Sequence, residues 1–485
     1  MPAHRTSIAR ARMRRVSSFV LAAFVAGGAV LAAQAAPAAA APDASAPQAG
    51  TKARRYTLAE CLAMADKNHP NLWAARARVA GFHAQLDEAH WTPFWQWSTN
   101  VSLTSIADAR GAAPYTTAGA NALNTSFADG VNPWFRLFLS GAIPLYTFGK
   151  IDWIGRAAEA QVRLGEWETE KFRQQTRADV RRAYYGAMVG RDMSATYVEV
   201  TGRIDKVLDS IKQKLERGDP GVDDSSRLRL DIYRDSLEWR AGDPQKRESV
   251  SMSTLRFMTG VQSDFDIVHA PLERPEGDVA PVVTYLTAAR LHRPETNQAR
   301  AGIAARRAQM EFAQARMFPD IALGFGAGIN IARNAVVQNG WVSNPFNSSG
   351  FYFAGPLLLV RWTPDILPGF ARVEFAAAQL EEVRAQMRLA LGGVAVEVEN
   401  AYSVVLDARQ REGRFGHAED ITKKWVDKVQ AEVERGAKDT GALTEPLQYY
   451  LDARVNHLTA LVDYDVALAE LARVTGWDGA AAPSR

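Results

Sequence analysis

The 485-residue chain has one cysteine, Cys61, so no disulfide can form within it and a small stapled secreted domain is excluded. Cys61 sits among Leu58, Leu62 and Ala65 on one helical face, where a small buried filler is expected and not a reactive thiol. The eight histidines are scattered, with no pair at metal-ligand spacing. There is no phosphate-binding loop, no G-x-S-x-G elbow and no dinucleotide fingerprint. Gly324, Gly326 and Gly328 alternate as the small face of a strand, not as a phosphate cradle. No enzyme, cofactor or metal is expected, and energy for any work must come from a partner. Charge of one sign is also lacking, with 57 Lys and Arg against 54 Asp and Glu. Residues 1–35 hold five arginines and no acid, so removing them lowers the net charge by five, from +3 to −2. That balance gives no reason to expect a nucleic-acid partner.

Proline is missing from one long stretch. None occurs from residue 145 to 219, although the chain has 22 in all, so one very long helix can form there. Apolar residues recur in it at alternating steps of three and four: Ala157, Ala160, Leu164 and Trp167, then Ile204, Leu208, Ile211 and Leu215. This is the narrow stripe of a coiled coil. At about 1.5 Å per residue, such a helix spans on the order of 100 Å, deeper than any compact domain. A second proline-free run lies between Pro368 and Pro446, with the stripe Leu380, Val383, Met387, Leu391, Val394, Val398, Ala401, Val405. Val180, Ala183 and Tyr184 match Val398, Ala401 and Tyr402, and Glu216-Arg217-Gly218 matches Glu434-Arg435-Gly436 at the same offset. The chain reads as a tandem duplication forming a pseudo-symmetric pair.

In order, residues 1–35 have the basic start, apolar core and Ala33-Gln34-Ala35 site of a secretory signal. Residues 36–55 are an Ala/Pro-rich leader expected to be disordered. Repeat 1 is placed at 56–260, a linker at 261–282, repeat 2 at 283–476 and a tail at 477–485. Each repeat is a helix, two strands, a long helix and a return helix. Thr57 is expected to cap the first helix, Pro70 to break it near its start and Pro244 to interrupt the first return helix. Beyond Pro93 the period becomes two: Trp95, Trp97, Thr99, Val101 and Leu103 face one way and Gln96, Ser98, Asn100, Ser102 and Thr104 the other. A loop of about 27 residues and a second strand from Phe135 to Pro144 follow. Ile321, Leu323 and Phe325 share a face of the third strand, and the fourth, 351–362, is apolar on both faces.

Strands of about 10–12 residues with one apolar and one small polar face suit a bilayer and a wet lumen. Trp95, Trp97, Val101, Leu103, Leu137, Leu139, Ile321, Leu323 and Phe325 are expected to face lipid, with Trp95, Trp97, Trp134 and Trp362 forming an aromatic girdle. Four strands cannot close a barrel, so two, three or four copies would give eight, twelve or sixteen. A soluble elongated periplasmic scaffold or adaptor is the competing reading.

In several features the chain resembles the TolC family of outer-membrane efflux proteins. They are Tyr56-Thr57-Leu58, Asn68-His69-Pro70, the run from Ile143 to Lys150, the doubled Val-x-x-Ala-Tyr, the glycine-containing tips and the Thr-Gly that closes each half. The resemblance covers the mature chain. It implies an α+β membrane protein: a homotrimer with a twelve-stranded β-barrel in the outer membrane of a Gram-negative bacterium, continued by a long periplasmic α-helical barrel. It implies work as a passive, gated exit duct with a periplasmic adaptor and an inner-membrane pump, in efflux or type I secretion. By the same resemblance the helical tips contact adaptors, here Arg217, Gly218, Gly221, Arg435 and Gly436. Acidic residues guard the entrance, with Glu445 where one family acid falls and Gln448 in place of the second. Asp219, Asp223 and Asp224 of the first tip are further entrance candidates, or caps of a solvated turn.

Overall fold

The computed structural model describes residues 54–94, 96–110, 124–217, 224–261, 265–275, 277–332, 350–435 and 437–481. Its axis is a pair of long helices, α3 (Lys150–Arg217, 68 residues) and α8 (Ile366–Glu434, 69 residues). Each follows a β-hairpin. β2 (Gln96–Arg110) and β3 (Asn124–Tyr146) lead into α3, and β5 (Asp320–Ala332) and β6 (Gly350–Arg361) lead into α8. The hairpins join in one antiparallel sheet of order β2-β3-β5-β6. Shorter helices pack along the long ones: α1 (Leu58–Asn68), α2 (Pro70–Trp91), α4 (Asp224–Arg240) and α5 (Gly242–Thr259) in the first half. In the second half they are α6 (Val282–His292), α7 (Pro294–Ala315) and α9 (Thr444–Thr475).

The local signals act as their chemistry requires. Thr57 Oγ1 accepts from the Glu60 N–H (3.3 Å) while Glu60 Oε2 accepts from the Thr57 N–H (2.9 Å), a complete capping box. Pro70 forces His69 into extended backbone and separates α1 from α2, and Pro294 does the same to Arg293 between α6 and α7. Each break receives the end of a return helix. Asn68 Nδ2 donates to the carbonyl of Thr259 (2.8 Å), so α1 and α5 meet end to end. Gly260 and Gly476 close α5 and α9 in the left-handed region, at φ 71° and 70°. The threonines before them, Thr259 and Thr475, are wholly buried, each donating its hydroxyl to the carbonyl four residues back at 2.7 Å.

The doubled Val-x-x-Ala-Tyr marks two equivalent cores. Val180, Ala183 and Tyr184 are buried with Cys61 and Ala65 of α1 and Leu255 of α5. Val398 and Ala401 are buried with Tyr285 and Ala289 of α6 and Leu471 of α9, with Tyr402 alongside. Cys61 is a core filler whose thiol burial pushes up to about 11. At the far end one cluster unites Ile204 and Ile211 of α3, Leu230 of α4, Val429 of α8 and Leu451 of α9.

Several expectations need correction. A second sheet exists: β1 (Arg54–Tyr56) pairs in parallel with β4 (Phe265–Ile267). Arg54 and Arg55 therefore belong to a strand and not to a loose leader, and β4 lies inside the 261–282 linker. Arg191 of α3 fastens this sheet, holding Glu248 at 2.6 Å and Asp266 at 2.5 Å. Strands β2 and β3 run to 15 and 23 residues, beyond the expected 10–12, which shortens the expected loop of about 27. The tail holds a helical turn, Asp478–Ala481, with Asp478 paired to Arg177 and Arg181. Residues 1–35 and most of the leader lie outside the described residues.

Two predictions test this packing. A Cβ on Gly476 would lie 2.7 Å from the backbone of His292 and Arg293, whereas on Gly260 the nearest atom is the Asn68 Cβ at 3.1 Å. Gly476→Ala is expected to lower the thermal midpoint clearly more than Gly260→Ala in the full-length protein. Asp465 of α9 is 8% exposed, and burial raises its carboxyl from 3.8 to about 7. A raised acid keeps its proton in the fold, so this stability is present below about pH 4 and lost as pH climbs towards 7. Asp465→Asn should then raise the midpoint by several degrees at pH 8 and change it little at pH 4.

Candidate channel wall and helical tip

The sheet has one apolar and one small face, set by its register. Trp97 lies opposite Gly141, and Gly141 opposite Phe325. The same face carries Val101 beside Leu137, Leu103 beside Phe135, Leu139 beside Ala327 and Ile143 beside Leu323. Every expected lipid-facing residue among those described is on it, with Leu103 77% and Val101 60% exposed. Ile321 joins after a register shift near Pro144. Trp95 lies outside the described residues. Pairing also orients β6, whose pattern left its faces open: Phe351, Phe353, Leu358 and Val360 fall beside Ile329, Ala327, Leu323 and Ile321. All four are more than half exposed.

Glycine permits the close packing. Trp97 and Phe325 meet across Gly141 with ring centroids 4.4 Å apart, and a Cβ there would sit 2.7 Å from Phe325 and 2.9 Å from Trp97. On the opposite face Ser98 and Ser140 share a hydroxyl hydrogen bond at 2.7 Å, Phe138 lies over Gly326 and Leu359 over Gly324. That face therefore mixes small and polar residues of β2 and β5 with Phe138 of β3 and Leu357 and Leu359 of β6.

Aromatic residues gather where the strands meet the helices. Phe148 stacks on Phe318 (5.1 Å) and packs against Tyr146 (4.7 Å), and Trp362 Nε1 donates to the Met317 carbonyl at 3.1 Å. Trp97 and Trp362 flank this belt. Trp134 does not belong to it, because β3 continues past it to Asn124 and leaves it opposite Thr104 in mid-strand.

At the other end the tips adjoin. Arg217 ends α3 and Arg435 caps α8, both exposed. Glu445 is exposed in the first turn of α9, and Gln448, one turn on, is half-buried above the cluster holding Leu447 and Leu451. Asp224 begins α4. Gly218, Asp219, Gly221, Asp223 and Gly436 lie outside the described residues. Sequence reasoning did not find Lys214–Asp439, a 3.7 Å ion pair that joins the two tips. Nothing local signals a pair so distant in sequence, and both side chains are about a third exposed, so it contributes at most about 1 kcal/mol. Asp439 also accepts from the Gly441 N–H (3.2 Å), fixing the turn before α9.

No family model and no curated protein matches the sequence. Solved structures do. CusC, studied for transmembrane channel formation, superposes with a TM-score of 0.68 at 14% identity, over 87% of this chain and 92% of that one. The Campylobacter jejuni CmeC outer membrane channel gives 0.67 at 14% identity, over 86% and 85%. The open Neisseria gonorrhoeae MtrE outer membrane channel gives 0.64 at 14% identity, over 87% and 89%. The chain has the fold of these outer-membrane channels. The resemblance read from its motifs is borne out as fold, and the likeness spans both the sheet and the helices.

Crowding at Gly141 gives a test of the wall. Gly141→Ala should destabilise the folded protein by about 1–3 kcal/mol through overpacking. Adding Trp97→Ala should recover part of that loss, read as the thermal midpoint of the full-length protein.

Proposed function

We propose that the protein is a passive exit duct of the outer membrane, built from three copies and gated at its periplasmic helical tips. One observation carries this reading: a four-stranded antiparallel sheet, with an exposed apolar face and two edges unpaired among the described residues, stands at the head of helices on the order of 100 Å long. Hydrocarbon satisfies the apolar face but not the edges, where each unpaired backbone group costs several kcal/mol. The edge strands β2 and β6 run in opposite directions, so β6 of one copy can pair antiparallel with β2 of the next. Three copies supply twelve strands, as in the family the motifs resemble.

The helices support the same arrangement. α8 has an apolar stretch long enough to cross a membrane by length and composition, yet little of it is buried in one copy. Leu389 and Val396, one heptad apart, are 79% and 66% exposed. Neighbouring copies would cover them and complete a helical barrel. Arg217, Arg435, Glu445 and Gln448 then ring the periplasmic entrance, where an adaptor and an inner-membrane pump would dock. Energy comes from that pump.

The test is reconstitution. Protein extracted from membranes should run as a heat-modifiable trimer and give single-channel conductance in planar bilayers, and recovery as a soluble monomer overturns the reading. Within β2, Val101→Arg should cost about 2–4 kcal/mol if that face meets lipid, while Asn100→Arg on the small face should be tolerated. Equal losses at the two positions would place the sheet in a soluble core.

A further inference from the structure

Beneath the small face of the sheet lies a cavity of about 770 Å³, where the strands turn into α3 and α8. Its roof is two register pairs of the small face, Gln96 with Ala142 and Ala322 with Leu359. Its sides are the last turn of α7 and the first turns of the long helices, with Ile151, Phe312, Met317 and Ile366 supplying apolar wall.

Six charged side chains line the basin: Lys150, Arg316, Arg361, Arg372, Asp320 and Asp365. Both carboxylates are already engaged. Lys150 Nζ holds Asp320 at 2.7 Å and the Phe318 carbonyl at 2.8 Å, and Arg372 holds Asp365 at 2.9 Å. Asp320 is the register partner of Arg361, but its carboxylate goes to Lys150. Arg316 and Arg361 are left, both exposed, with no ion pair to any carboxylate among the described residues. The basin thus joins an apolar wall to two uncompensated guanidinium groups, which favour oxyanions that can accept two parallel N–H donors.

We propose that this basin is a binding site for amphipathic organic anions, a sulfonate or carboxylate on an aromatic or hydrocarbon body, taken from the lumen. The proposal rests on the duct reading for its route of access, since the basin opens on the small face. In each copy the anionic head pairs with Arg316 and Arg361 while the body lies against Ile151 and Phe312. The site biases the duct towards anionic cargo at the neck between barrel and helices.

Sodium 1-naphthalenesulfonate, titrated calorimetrically into the full-length protein in nonionic detergent, should bind saturably. Binding should fall tenfold or more in R316Q/R361Q and persist in R316K/R361K, with heat-resistant assembly confirming that both variants fold. The cation 1-naphthylmethylammonium should not bind saturably. Absence of saturable anion binding, unchanged binding by R316Q/R361Q, or equal binding of the cation overturns the site. Conductance of the same preparations tests the duct separately: protein that binds the anion but never conducts refutes the duct and keeps the site, and conducting channels that ignore the anion do the reverse.

Discussion

The backbone groups along the outer edges of β2 and β6 constrain everything else in this molecule. Inside a protein or in water such edges find partners, but in hydrocarbon they find none. The four described strands of this sheet are too few to bring its edges together, and one of its faces is apolar and exposed. In the proposed assembly β6 of one copy would pair with the β2 of the next, a head-to-tail contact that satisfies both edges and closes when the rotation is right. The long helices would share that rotation. Their half-covered stripes, such as Val383 and Met387 of α8, would then be matched by neighbouring copies instead of by folds of the same chain.

Duplication explains how one chain can supply two nearly equivalent wall segments. The proline break and the Thr-Gly terminus form one device used twice: a gap between two short helices takes in the left-handed end of a third. It fixes the axial position of α5 against α1, and of α9 against α6 and α7, so the short helices add up to the length of a strut. The halves differ where they meet the tip. The first return helix is interrupted at Ala241, before Gly242-Asp243-Pro244, while α9 runs unbroken from Thr444 after a short helical turn at Thr440–Leu443. An uninterrupted helix carries the entrance candidates Glu445 and Gln448 on a stiffer element than α4 offers the first tip.

Much of this was legible in the sequence because the signals are local and repeated. The stripes of α3 and α8, the Thr57 cap and the breaks at Pro70 and Pro244 each follow from a few neighbouring residues. What escaped is non-local or too short. β1 and β4 are three-residue strands with no periodicity to detect, held by Arg191 from a distant helix. The first part of β3 includes Gly130 and Pro133, residues that read as loop, yet pairing of Ser105 with Pro133 and of Ile106 with Asn132 overrides propensity. The facing of β6 needed its register with β5, since a strand apolar on both sides carries no phase of its own. The cations of the basin escaped because Arg316 and Arg361 come from α7's end and β6's end, and only the fold puts them in one cavity.

The two corners between sheet and helix show why those cations stay uncommitted. In the first half the chain turns through Phe148 and Gly149, both at positive φ (53° and 84°). A non-glycine residue there is strained, and the stack of Phe148 on Phe318 offsets that cost. The turn aims Lys150 back under the sheet, onto Asp320 and the Phe318 carbonyl, so one lysine ties α3 to the start of β5. The second corner, through Thr363, Pro364 and Asp365, needs no left-handed residue, and its acid accepts a hydrogen bond from Arg372 of α8. Each corner thus uses a carboxylate of the basin to hold itself together. Arg316 and Arg361 stand between the corners after both acids have been taken, so the positive charge of the neck follows from the way the sheet is fastened to its helices.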